Sequence, residues 1–164
     1  MKHIIVALVI TALLSGCSEQ PVSKIDSQPQ AKKQVASKEV YGVGNLVKIG
    51  STQVIIKTAR LKEGNAYALP KKGKVLELEV EGHNLGNQSW FLSDADFNLY
   101  DKTGAKLESY FGFDDLPLSG EVNKGKKVSG KLFYDVPEAE SYELIYKPNF
   151  LTDQEIIFNI VPDK

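Results

Sequence analysis

The clearest pattern in the chain runs from Val75 to Glu81. Leu76, Leu78 and Val80 alternate there with Glu77, Glu79 and Glu81. A period of two predicts a β-strand with one buried face and one wet face. On that reading the three glutamates form a solvated face. Gln53 to Leu61 is rich in β-branched residues (Val54, Ile55, Ile56, Thr58) and predicts a second strand. The same alternation recurs at Phe97 to Tyr100, Lys131 to Val136, Tyr142 to Tyr146 and Ile156 to Ile160, with Leu46 to Ile49 opening the series.

Turn chemistry separates these segments. Gly50-Ser51, Lys62-Glu63-Gly64-Asn65, Asn84-Leu85-Gly86-Asn87, Asp101-Lys102-Thr103-Gly104, Asn123-Lys124-Gly125 and Val136-Pro137-Glu138 all break the pattern. No long stretch joins a helical period to helix caps. The prediction is an all-β fold: an immunoglobulin-like, two-sheet antiparallel sandwich of about seven or eight strands over residues 40–164.

Composition narrows the function classes. The chain has 164 residues, 20 basic and 21 acidic, with one Cys and two His. A net charge of -1 gives no basic footprint for nucleic acid. One Cys forbids an internal disulfide and a Cys-based zinc cluster, so aromatic packing must fill the centre of the sandwich.

The N-terminus has a different character. Lys2 precedes an apolar run from Ile4 to Leu14, interrupted by Thr11. The run is too short for a membrane span, which needs about 20 residues, and suits a secretory signal. It ends in Leu14-Ser15-Gly16-Cys17, which resembles the lipobox of bacterial lipoproteins. The resemblance implies cleavage before Cys17 and a diacylglyceryl thioether on its sulfur. Two acyl chains anchor a protein durably where one is marginal. Residues 1–16 are then a signal peptide, and residues 17–39 the lipidated Cys and a flexible linker. The linker is rich in Ser, Gln, Pro, Lys and Glu and lacks aromatics, so it cannot offset its ordering entropy. As a coil it reaches on the order of 25–30 Å. The expected address is the bacterial cell membrane, extracytoplasmic face, with the membrane as the first partner through Cys17.

The folded part also resembles a family. The segments that carry this are Tyr41-Gly42-Val43-Gly44-Asn45-Leu46, Val80-Glu81-Gly82-His83-Asn84-Leu85-Gly86-Asn87, Asp96-Phe97-Asn98-Leu99-Tyr100-Asp101 with Gly104, Gly130 to Pro137, and Tyr142 to Tyr146. They are similar to the telokin-like, immunoglobulin-like domain of unknown function of secreted and lipid-anchored bacterial proteins, related in fold to small mycobacterial secreted antigens. The resemblance implies a β-sandwich and carries no catalytic residue. Gly82-His83 departs from the family's pattern after the central strand, and Gly82 is expected to mark a bulge.

Catalytic equipment is sparse. Cys17 is committed to lipid, His83 is the imidazole left after signal cleavage, and no Gly-x-Ser-x-Gly elbow occurs. An enzyme of unrecognised type would need a pocket joining His83 to a carboxylate. Asp94, Asp96 and Asp101, or Asp114 with Asp115, offer oxygens for calcium, but the Asp-x-Asp-Gly loop pattern is absent. The expectation is no enzyme activity, no cofactor and no metal, with a small-ligand or calcium-binding module as the alternative. Tyr110-Phe111-Gly112-Phe113-Asp114-Asp115-Leu116-Pro117-Leu118 does not read as a regular strand. Tyr110, Phe111, Phe113, Asp114, Asp115 and Leu116 form a candidate interaction loop for an envelope or extracellular protein or peptide. The competing reading folds Phe111 and Phe113 back over the sheet.

Overall fold

The computed structural model describes residues 39–148 and 154–163. The expected signal peptide (1–16), Cys17 and all but the last residue of the expected linker (17–39) lie outside the described residues. Among those described, eleven strands follow one another: β1 (Val40–Gly42), β2 (Leu46–Ile49), β3 (Thr52–Lys62), β4 (Lys74–Asn84), β5 (Trp90–Ser93), β6 (Phe97–Tyr100), β7 (Lys106–Leu107), β8 (Ser119–Val122), β9 (Lys127–Val136), β10 (Tyr142–Tyr146) and β11 (Ile156–Ile160).

One sheet has the order β1-β11-β10-β6-β7 and the other β2-β3-β4-β9, with β5 and β8 as a separate pair. The fold is a β-sandwich, as the alternation predicts. Val54, Ile56, Leu76, Leu78, Val80 and Leu132 of the second sheet pack in one core with Leu99, Leu144, Tyr146, Phe158 and Ile160 of the first. Burying each such side chain contributes about 1.5–3 kcal/mol before conformational entropy is set against it. Phe97 and Tyr146 stack at 4.7 Å between centroids.

Three expectations need correction. The sandwich is not wholly antiparallel, because β1 lies parallel to β11. Gly82 is not a bulge: it pairs in unbroken register with Val54 and Val128. A Cβ there would lie 2.6 Å from Leu92 Cδ2 and 3.0 Å from Trp90 Cη2, so Gly82 lets the β5 side chains approach β4. The register shift between β3 and β4 falls instead between Ile56 and Thr58, leaving Lys57 as the extra residue. Finally, Glu77 is not solvated but 3% exposed. Its strand alternates as expected, yet the outer face at that point is covered by cations and by a crossing segment.

Candidate functional site

The segment after β7 runs beside the free edge of β9. The Asp135 N–H donates to the Glu108 carbonyl at 2.9 Å, Tyr110 N–H to the Phe133 carbonyl at 2.8 Å, and Leu118 N–H to the Lys131 carbonyl at 3.0 Å. The edge strand is thereby covered, which guards it against pairing with another chain. Between these two footholds residues 111–117 arch away. Gly130 makes the second foothold possible, since a Cβ there would stand 2.8 Å from Leu118 Cα.

The arch divides its aromatics. Tyr110 is buried on the outer face of β4 and β9 with Val75 and Phe133, and Phe113 packs beside it. Phe113 lies 5.2 Å from the Tyr110 ring and 5.1 Å from the Phe133 ring. Phe111 and Leu116 are 79% and 87% exposed, and Asp114 and Asp115 are exposed too.

A second loop, residues 63–73 between β3 and β4, is held against the first. The Tyr110 hydroxyl donates to the Ala68 carbonyl at 2.5 Å and accepts from Asn65 N–H at 2.7 Å. The buried Asp135 carboxylate accepts from Lys71 N–H at 2.7 Å and Lys72 N–H at 2.8 Å. Four backbone positions of one loop are fixed by two side chains. Tyr67 on this loop is fully exposed and Leu69 is 76% exposed. Leu69 and Phe111 line one cleft of about 360 Å³ with Lys71, Lys72 and Asp135. No local pattern in the sequence marked Tyr67, Leu69 or Asp135 as companions of the aromatic loop.

Behind the arch lies a layer of ion pairs on β3, β4 and β9. Glu77 meets Lys62 at 2.6 Å, Lys131 at 3.5 Å and Arg60 at 3.9 Å. Glu81 meets Lys127 at 2.7 Å and Lys57 at 2.8 Å. Hydrogen bonds from Lys127 and then Lys57 hold the Glu81 carboxyl down at about 2. Lys57, the bulge residue, also reaches Glu79 at 3.8 Å. Lys62 sits over the Phe113 ring at 5.8 Å and Lys131 over Phe133 at 5.9 Å. Asp115 accepts from Lys131 at 3.3 Å, and this bond, ahead of the charge on Glu77, raises the lysine's pKa.

The other acidic candidates do not converge. Asp101 accepts from Thr103 N–H at 2.8 Å, Thr103 Oγ1 at 2.6 Å and Ala105 N–H at 3.0 Å, which shapes its turn and lowers its pKa. Asp96 accepts from Ser93 N–H at 2.8 Å across a 3₁₀ turn, and burial raises its pKa. Among the described residues no group of three or more His, Cys, Asp and Glu side chains could hold a metal ion. His83 is half-buried on β4, opposite Gln53 of β3 and Lys127 of β9.

A prokaryotic membrane lipoprotein lipid attachment site matches residues 1–18. With the sandwich, this defines a membrane-anchored, extracytoplasmic β-sandwich lipoprotein. The chain belongs to the DUF4352 family, a domain of unknown function, which matches residues 41–156. It is 27% identical over 147 residues to the uncharacterized lipoprotein YjhA of Bacillus subtilis, covering 79% of this chain and 67% of the relative. Among solved structures it resembles the putative lipoprotein YcdA of the same organism, with a TM-score of 0.64 and 26% identity. That likeness covers 73% of this chain and 39% of YcdA, so the chain spans about two fifths of that relative's length. The secreted protein MPT63 of Mycobacterium tuberculosis shares the fold, with a TM-score of 0.53 at 15% identity over 78% of this chain and all of the other.

Proposed function

We propose that Cys17 carries the lipid anchor, that residues 17–39 form a linker, and that the sandwich from residue 40 is a non-enzymatic interaction module. Its partner is an envelope or extracellular protein or peptide, met by the end of the sandwich that carries residues 63–73 and 110–118. The observation behind this reading is the pairing of exposed apolar side chains with a clamped backbone. Leu69 and Phe111 stand out beside one cleft, while Tyr110 and Asp135 immobilise the chain beneath them. Exposed aromatics on a rigid support lose little entropy on docking, so their burial goes into affinity. Two of the candidate carboxylates serve local structure, since Asp96 and Asp101 accept backbone N–H bonds, as Asp135 does in supporting the second loop.

The test compares crosslinked envelope extracts from cells carrying the full chain or its L69S/F111S variant. Both positions are surface sites, so the variant keeps its melting temperature. The reading expects at least one protein crosslinked by the parent and lost in the variant. Identical crosslinks from both would overturn it.

A further inference from the structure

The segment that covers β9 brings an edge of its own. Its Glu108 carbonyl and Tyr110 N–H bond to Asp135 and Phe133 of β9, and Ser109 between them stands opposite Tyr134 in an isolated antiparallel bridge. Ser109 and Tyr134 are thus a non-hydrogen-bonded pair, and the Ser109 N–H and C=O face away from β9. Among the described residues these two groups have no hydrogen-bond partner, and neither do the N–H and C=O of Phe111. Ser109 and Phe111 are both exposed. They line the cleft of about 360 Å³ together with Leu69, Lys71 and Lys72 of the clamped loop. Free main-chain donors and acceptors therefore stand in the same cleft as the exposed apolar side chains.

We propose that this cleft takes an extended peptide segment of the partner, which adds as a short β-strand beside residues 109–111. The inference rests on the docking reading above and names how the partner is held. When a peptide adds to a strand edge, main-chain hydrogen bonds supply affinity and alternate side chains supply selectivity. A strand paired with Ser109 and Phe111 satisfies their outward groups and sends side chains two positions apart toward Leu69 and Phe111. Apolar residues at those positions are the ones selected. The edge is preformed, because Tyr110 and Asp135 fix both walls before the partner arrives, so little ordering cost falls on the protein. The cleft lies near the lower end of the roughly 300–1,000 Å³ of ligand sites, so it receives a few residues of a chain rather than a folded domain.

The test pans a display library of random heptapeptides against the full chain in detergent micelles, with empty micelles subtracted. Peptides that recur are made in capped form and titrated by fluorescence anisotropy. The expected binders carry apolar residues at alternate positions, and L69S/F111S weakens them by about tenfold or more. Each binder is then remade with one backbone nitrogen methylated at a time, which removes a donor and keeps every side chain. Methylation at positions two apart should weaken binding by about tenfold, and at the position between them should leave it unchanged. Ser109→Pro removes one outward N–H and should weaken the same peptides severalfold. The methylation series reads the pairing on the parent chain should that variant prove unstable. No recurring peptide, or binders that respond alike to methylation at every position, overturns the proposal. Either result, with crosslinks still lost in L69S/F111S, would leave the docking reading in place with the partner held by side chains alone. Identical crosslinks from both proteins, with binders sensitive to alternate methylation, would remove the docking reading and leave the peptide site.

Discussion

Tyr110 and Asp135 grip the same loop, one from the segment that runs beside β9 and the other from β9 itself. The tyrosine takes Asn65 and Ala68, the aspartate takes Lys71 and Lys72, and the residues that project from the loop, Tyr67 and Leu69, lie between or beside those grips. The two side chains are themselves joined through β9, since Tyr110 N–H bonds to Phe133 and Asp135 N–H to Glu108. One edge strand therefore organises both loops.

Removing either grip should loosen the loop without unfolding the sandwich. Tyr110→Phe keeps the ring against Phe113 and deletes two hydrogen bonds, costing about 1–2 kcal/mol. Asp135→Ala strands two N–H groups that were bonded to a charge and costs about 2–4 kcal/mol. Denaturant melts would give these values, and amide exchange should accelerate at residues 65–72 in both variants.

Two glycines should resist enlargement for spatial reasons alone. In Gly82→Ala the new methyl meets Leu92 Cδ2 at 2.6 Å, and in Gly130→Ala it meets Leu118 Cα at 2.8 Å. Leu92 is fully buried and cannot swing away, and Leu118 Cα is backbone. Each change should destabilise by about 1–3 kcal/mol, with Gly130→Ala also loosening the arch. Urea midpoints and limited proteolysis within residues 111–117 would separate the two effects.

Acid should expose the Glu81 ion pairs. Lys127 and Lys57 hold this carboxyl at about 2, below its ordinary 4.5. The folded state therefore releases the proton more readily than the unfolded chain. The resulting stability is complete above about pH 4.5 and is lost as pH falls through about 2. Glu81→Gln should lower stability at neutral pH and flatten the decline in that window, as read from urea midpoints at stepped pH.

Asp96 should behave in the opposite sense. Burial raises its pKa, so the folded state holds the proton more tightly and the ionised form costs stability at neutral pH. Asp96→Asn keeps an oxygen acceptor for Ser93 N–H. It should raise the urea midpoint at pH 7, with the gain closing as the pH is lowered.

Cys17→Ser should abolish anchoring. Without the thiol no thioether can form, and the chain should move from the detergent phase to the aqueous phase in a phase-partition assay. Retention in the detergent phase would count against Cys17 as the lipid-bearing residue.

Alternation or β-branched content along single segments was enough to read β2, β3, β4, β6, β9, β10 and β11, although β9 buries every residue from Leu132 to Val136 where other chain covers its outer face. β1, β5, β7 and β8 escaped it. Ser119-Gly120-Glu121-Val122 has one buried residue, and Trp90–Ser93 follows a polar turn whose chemistry reads as loop. The pattern also tells which side a residue faces but not what crosses that side. Glu77 faces outward as read, and is buried because Lys62, Lys131 and Arg60 gather over it beside Phe113. The aromatic loop could be picked out by composition. Its partnership with Leu69 and Asp135 depends on contacts between segments far apart in the chain, which no local period encodes.

The footholds on β9 give the arch an unusual freedom to diverge. Glu108, Tyr110 and Leu118 secure the chain to the strand through backbone groups that any residue but proline supplies, while Phe113 and Asp115 of the tip reach β9 through their side chains. Tips of other composition or length could be carried on the same two feet without reopening the strand edge. A lineage could thus exchange what the end of the molecule recognises while inheriting an unchanged sandwich, much as a tool holder outlasts its bits.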